Sequence, residues 1–240
     1  MRVLLLGGTA EARALAADLH PAVDVVSSLA GRVPDPALPV GEVRVGGFGG
    51  VDGLRRWLRD ERVAAVVDAT HPFAATITAN AAEACRRSGV PHVVLARPAW
   101  PRGDAIVVAS DAEAAEVVVG RSFSRVFLTT GRSGTAAFAG VDAWFLIRAV
   151  TAPEEHLLPH RHELVLSRGP YRYADERNLL AQHGIDALVT KNSGGDMTRA
   201  KIDAAGDLGI PVVMVDRPAL PDGIHAVPTV RDAAAWVRAL

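Results

Sequence analysis

The chain has 240 residues, a formal net charge of −1 and an apolar fraction of 49%, enough to bury the core of one large or two small domains. Near-neutral charge argues against a nucleic-acid binder, and a lone cysteine, Cys85, excludes an internal disulfide and a thiolate-rich metal site. The Val3–Leu6 run is too short for a signal-peptide core, and no run approaches the ~18 apolar residues of a membrane span.

A strand near 2–6 runs into Gly7-Gly8-Thr9-Ala10 and a helix near 10–19. Glycines permit a tight turn and close approach of a phosphate, and the helix start supplies unpaired N–H groups and a positive dipole end. Thr9 adds a hydroxyl. The pattern departs from G-x-G-x-x-G, because Thr9 and Ala12 stand for the second and third glycines, and an ordinary strand–helix turn reads the same way.

A second strand near 23–27 ends in Ser27-Ser28-Leu29-Ala30-Gly31-Arg32. Ser27 falls about 20 residues beyond Gly7, where an NAD-binding unit carries an acidic residue for the ribose 2′-hydroxyl. Hydroxyls and an arginine there suit a 2′-phosphate, which a carboxylate would repel, and rank NADP above NAD. A strand near 42–46 ends in Gly46-Gly47-Phe48-Gly49-Gly50, then a helix near 51–60. Four glycines in five residues either admit a flat or phosphorylated ligand or make a flexible connection. A strand near 64–69 ends in Asp68-Ala69-Thr70-His71-Pro72-Phe73-Ala74. His71 at that edge can orient a nicotinamide or donate a proton; a structural histidine is the plainer alternative. A helix near 74–88 and a strand near 92–96 follow.

The remainder reads as strands near 105–109, 126–130, 144–149, 163–167, 187–190 and 212–216, with helices near 111–119, 174–183, 197–208 and 230–239. Strands alternate with helices and many are unbroken apolar runs, which implies parallel sheets covered on both faces. Pro91–Val117 also recurs, without a gap, as Pro211–Val237 half a chain length later; both copies carry R-P-A-x-P-x-G. Self-similarity at this period means two like domains. The expected fold is α/β, two similar Rossmann-like parallel-sheet domains with a cleft between them, residues 1–98 and 99–240. The strand and helix after each Arg-Pro-Ala are free to cross between domains.

Ligands of open α/β sheets bind beyond the carboxyl ends of the strands. In the second half those ends carry Arg132, Arg148, Arg168, Lys191 and Arg217. Five cations at matching positions point to a pocket for a substrate with several carboxylates or phosphates. Lys191 takes the place of His71 at the half-chain offset. His160-Arg161-His162-Glu163 looks like a metal-ligand cluster, but it follows Pro159 and reads as a solvated loop. A P-loop and a G-x-S-x-G elbow are absent from the sequence.

Gly7-Gly8-Thr9-Ala10-Glu11-Ala12, Ser28-Leu29-Ala30-Gly31-Arg32, Asp68-Ala69-Thr70-His71-Pro72-Phe73-Ala74, Ser167-Arg168-Gly169-Pro170 and Lys191-Asn192-Ser193-Gly194-Gly195 together resemble the precorrin-6A reductase family of cobalamin biosynthesis, over almost the full chain. The resemblance implies a two-domain α/β protein with NADPH in the cleft, reducing one double bond of precorrin-6A to give precorrin-6B; a cobalt-containing version of the substrate exists in the family. It implies NADPH held by Gly7, Gly8, Thr9, Ala10, Ser28, Gly31, Arg32, Gly47, Thr70 and His71. Arg132, Arg168, Lys191, Asn192 and Ser193 then hold the acetate and propionate groups of the macrocycle. Lys191 or His71 donates the proton that accompanies hydride transfer, with water as the alternative. A sensor module that binds NADP without turnover would share the first turn but needs no basic cluster. The expected setting is cytoplasmic, as a monomer or small homo-oligomer, with no metal, membrane or nucleic-acid partner.

Overall fold

In chain order the elements are β1 (Arg2–Leu6), α1 (Ala10–Leu19), β2 (Asp24–Leu29), β3 (Glu42–Val45), α2 (Gly50–Asp60), β4 (Ala65–Asp68), α3 (Ala75–Ser88) and β5 (His92–Leu95). Then come β6 (Ile106–Val108), α4 (Asp111–Gly120), β7 (Arg125–Leu128), β8 (Trp144–Ala149), β9 (Arg161–Leu166), α5 (Tyr173–Gln182), β10 (Ala187–Lys191), α6 (Ala200–Asp207), β11 (Val212–Val215), β12 (Ala226–Val227) and α7 (Val230–Arg238). The computed structural model describes residues 1–31 and 37–240. Among them, no helix is long and apolar enough to cross a membrane.

The strands form two six-stranded sheets, ordered β12-β5-β4-β1-β2-β3 and β6-β11-β10-β7-β8-β9, and every pairing is parallel. β1 shows why such strands read as unbroken apolar runs. Val3 and Leu5 pack with Leu15 and Leu19 of α1, whereas Leu4 and Leu6 pack with Leu54 and Leu58 of α2 and Ala81 and Ala84 of α3. Side chains alternate along a strand, so a strand with helices on both faces needs apolar residues at every position.

The chain divides into two compact units, Met1–Pro98 with Pro218–Leu240, and Ala99–Arg217. A second segment running from 99 to 240 therefore loses its last stretch to the first unit. The reason is hydrogen bonding and packing. The Val94 N–H donates to His225 O and the Ala96 N–H to Val227 O, both at 2.9 Å, which adds β12 to β5. Ala233, Ala234 and Val237 of α7 complete the core around α1. Each copy of the internal repeat thus starts as a strand in one sheet and ends as a strand and helix of the other: β5 leads to β6 and α4, and β11 leads to β12 and α7. The prolines of R-P-A-x-P lack an N–H and disfavour helix in the preceding residue, so these links run extended and join neither sheet.

Two local departures from the expected elements matter for the site. β2 continues through Ser27 and Ser28 to Leu29, so both serines lie inside a strand rather than in the loop after it. β9 begins at Arg161, so the His160–Glu163 cluster is mostly edge strand rather than loop. Alternation there separates the side chains of successive residues, and among the described residues no group of three His, Cys, Asp or Glu could hold a metal.

Candidate functional site

In the first unit, strand order reverses between β1 and β4, which is where open parallel sheets bind ligands. The turn after β1 holds its shape through the Gly7 N–H, which donates to Ser28 O at 3.0 Å. Gly8 has φ +107° and lies exposed, and a Cβ added there would meet nothing within 4 Å. The backbone is therefore open to a ligand on that side. Thr9 caps α1: its Oγ1 accepts from the Ala12 N–H (3.0 Å) and donates to Ala69 O (2.7 Å). That hydroxyl ties the β1 turn to the end of β4 and is spent structurally. What remains for a phosphate is backbone, namely the first-turn N–H groups of Ala10 and Glu11, which a helix leaves unpaired, and the positive end of its dipole.

After β4, Asp68 is 1% exposed and orders the loop that follows. Its carboxylate accepts from the Thr70 N–H (3.0 Å), the Thr70 hydroxyl (2.6 Å) and the Thr78 hydroxyl (2.6 Å). The Thr70 proton thus points inward. His71 is exposed; its Nδ1 accepts the Phe73 N–H at 3.3 Å, which leaves Nε2 to carry the proton of the neutral ring as a donor.

On β2, beside the edge strand β3, Ser27 is 1% exposed and its hydroxyl is buried without a partner among the described residues. The Ser28 Oγ accepts from Arg44 Nη1 at 2.6 Å. Arg44 also donates to Gly46 O (3.0 Å) and Gly47 O (3.2 Å) and stacks 3.8 Å from the centroid of Phe48. Gly47 is exposed, and Gly31, at φ +72°, would place a Cβ only 3.0 Å from Val45 Cγ1. Arg32 lies outside the described residues.

The second unit has its own reversal, between β7 and β10. Its first turn leads into a short 3-10 helix, Thr135–Phe138, rather than a full α-helix, so it lacks the dipole and the ladder of α1. Lys191 ends β10; its Nζ donates to Thr130 O (3.0 Å) and pairs with Asp111 Oδ2 (3.2 Å). Asn192 is 1% exposed, and its amide is used on the backbone of Trp100, accepting from the N–H (2.9 Å) and donating to the carbonyl (3.2 Å). Ser193 contributes its carbonyl to Arg217 Nη2 (2.9 Å), and Arg217 Nε donates to Asn192 O (2.7 Å).

The five strand-end cations therefore do not act alike. Arg148 is buried and forms two 2.6 Å bonds to Glu176, which is buried as well. Its guanidinium stacks 3.8 Å from the Tyr171 ring, and the Tyr171 hydroxyl donates to Ser167 O, which anchors the loop that carries Arg168. Arg217 fastens the Asn192-Ser193 backbone, and Lys191 is paired. Arg132 and Arg168 are exposed and make no ion pair among the described residues. Of the five, Arg148, Lys191 and Arg217 have internal acceptors, and Arg132 and Arg168 are the exposed pair.

Sequence reasoning missed Arg44, Glu176, Trp100 and Lys201. Lys201 is buried beside Trp100 (4.9 Å to the ring centroid) and donates to Thr198 O at 2.7 Å. Burial, and then the nearby Arg148 cation, lower its pKa to about 7, while Glu176 opposes the shift. None of these residues carries a one-dimensional signal, since each gains its role from a partner distant in sequence.

Sheet order, the glycine turn and its helix define the chain as a doubly wound α/β protein with a phosphate-type turn in its first unit. The chain matches the family "Precorrin-6x reductase CbiJ/CobK" over residues 2–238, and it belongs to that family. It is similar to a precorrin-6A reductase of Mycobacterium tuberculosis, 69% identical over 100% of this chain and 98% of that protein. It is more distantly similar to a cobalt-precorrin-6A reductase of Priestia megaterium, 29% identical over 92% of each. A solved structure of a CobK precorrin-6A reductase superposes with a TM-score of 0.90 at 36% identity, covering 100% of this chain and 96% of that one.

Proposed function

We propose that this protein reduces one ring double bond of precorrin-6A to give precorrin-6B, taking hydride from NADPH and a proton from a side chain or water. Full-length similarity to a precorrin-6A reductase at 69% identity carries the reading; the relative named for the cobalt-containing substrate is far more distant at 29%. The family is one of reductases, so a nicotinamide cofactor is required, and bound NADPH supplies the hydride.

The first unit fits that cofactor. The open backbone at Gly8, with Gly7, Ala10 and the first turn of α1, suits a pyrophosphate. Ser28 and the glycines Gly31 and Gly47 line the end of β2 and β3, where a hydroxyl rather than a carboxylate stands opposite a ribose. Thr70 and His71 then face the nicotinamide end, with Asp68 fixing their loop. In the second unit, Arg132 and Arg168 serve substrate carboxylates, since an exposed guanidinium offers a two-pronged donor to each. Lys191, oriented by Asp111 and Thr130 O, is the proton donor, and Asn192 and Ser193 hold its loop. The setting is cytoplasmic.

The test is steady-state NADPH oxidation with precorrin-6A for the wild type, Lys191→Ala and His71→Ala. Loss of turnover with retained NADPH affinity in Lys191→Ala supports the proton-donor role. Turnover unchanged in both variants removes both assignments and leaves water as the donor.

A further inference from the structure

We propose that Arg44, braced against Ser28, reads the adenosine 2′-phosphate and sets the preference for NADPH over NADH. The inference rests on the cofactor reading above and names the residue that would enforce it. Ser28 and Arg44 are register partners on β2 and β3, so their side chains emerge side by side at the carboxyl end of the sheet. In doubly wound units the second strand ends beside the adenosine ribose.

The electrostatics of Arg44 point to a missing anion. Its guanidinium is half-buried and its pKa is lowered by desolvation, yet its partners are three neutral oxygens: Ser28 Oγ, Gly46 O and Gly47 O. It forms no ion pair among the described residues. Elsewhere in this chain the partly buried Arg97 and the more deeply buried Arg148 are each matched by a carboxylate, Glu11 and Glu176. Even partial desolvation of a cation is unfavourable without a counter-ion, and a phosphate would supply one.

The donor count leaves room for it. A guanidinium has five N–H groups, of which three are used, so two remain for phosphate oxygens. Because the Ser28 oxygen accepts from Arg44, its own proton is free to act as a third donor. Phe48, stacked on the guanidinium and itself edge-on to Trp57, fixes the plane of the fork.

Titration calorimetry with adenosine 2′,5′-bisphosphate, 5′-AMP, NADPH and NADH tests this without turnover. The wild type should bind the bisphosphate far more tightly than 5′-AMP. Arg44→Ala should cut that ratio by about 10- to 100-fold, the range expected for a hydrogen-bonded charge, with little change for NADH. Arg44→Lys keeps a cation without the fork and should give an intermediate ratio; it also serves if Arg44→Ala fails to fold. An unchanged ratio in both variants, or an equal loss for NADPH and NADH, overturns the inference and makes Arg44 a brace for the glycine loop. A wild type that does not favour NADPH over NADH instead overturns the cofactor reading itself.

Discussion

Replacing Glu176 with Gln should be among the most damaging single changes in the second unit. Arg148 and Glu176 have side chains only 7% and 3% exposed and meet through two 2.6 Å bonds. At a charge separation of about 4 Å and an effective dielectric near 20, the attraction is about 4 kcal/mol. Breaking a buried pair by removing one partner typically costs about 3–5 kcal/mol, because the surviving charge stays buried. The expected loss for Glu176→Gln is therefore about 3–4 kcal/mol, and Tyr171, stacked on the guanidinium, loosens with it. Urea unfolding followed by tryptophan fluorescence measures this, in a Trp57→Phe/Trp236→Phe background that leaves Trp100 and Trp144 as reporters inside the second unit. The double variant Arg148→Met/Glu176→Leu should lie within about 1 kcal/mol of its parent, since apolar residues of similar volume need no compensation. A cost below about 1 kcal/mol for Glu176→Gln, or a double variant that costs the sum of the singles, would refute the reasoning.

Lys201 predicts a pH dependence. Its pKa is lowered from 10.5 to about 7 in the folded chain, so between those values the unfolded chain holds a proton that the folded one lacks. Stability then rises with pH across that window, by up to about 1.4 kcal/mol per unit. Lys201→Met removes this contribution, so its stability advantage over wild type should shrink from pH 7 to pH 10; urea midpoints across that range that move in parallel would count against it. Thr9→Val deletes a helix cap and leaves Ala69 O without its donor, for an expected loss of about 2 kcal/mol in unfolding free energy. Arg168→Ala should raise the KM for precorrin-6A about 10-fold with the NADPH KM unchanged, and a change in the NADPH KM instead would move Arg168 to the cofactor side.

Sheet class and the first turn were legible because they are local. The unbroken apolar run Val3–Leu6 and the glycines before α1 carry their meaning in consecutive residues. The crossing of the end pieces was only half legible. R-P-A-x-P marks both links, but the return of β12 to β5 is written in backbone hydrogen bonds, not in side chains. Arg148 and Arg168 look equivalent as strand-end arginines. They part because Glu176 on α5, closer in sequence to Arg168, pairs with Arg148 instead. Thr9 was legible as a hydroxyl at a glycine turn, and its cap on Ala12 is local; its commitment to Ala69 depends on how β1 and β4 sit side by side. Arg44 was hidden inside a strand, and its place beside Ser28 becomes visible only once β2 and β3 pair.

The most direct measurement of the central claim is NADPH absorbance after mixing purified protein with precorrin-6A, with the tetrapyrrole product followed by mass in the same sample. The account predicts that one NADPH is oxidised per precorrin-6A consumed, with a product two hydrogens heavier. Tight NADPH binding with no oxidation in the presence of precorrin-6A would contradict it, and would favour a protein that senses the nucleotide without turning it over.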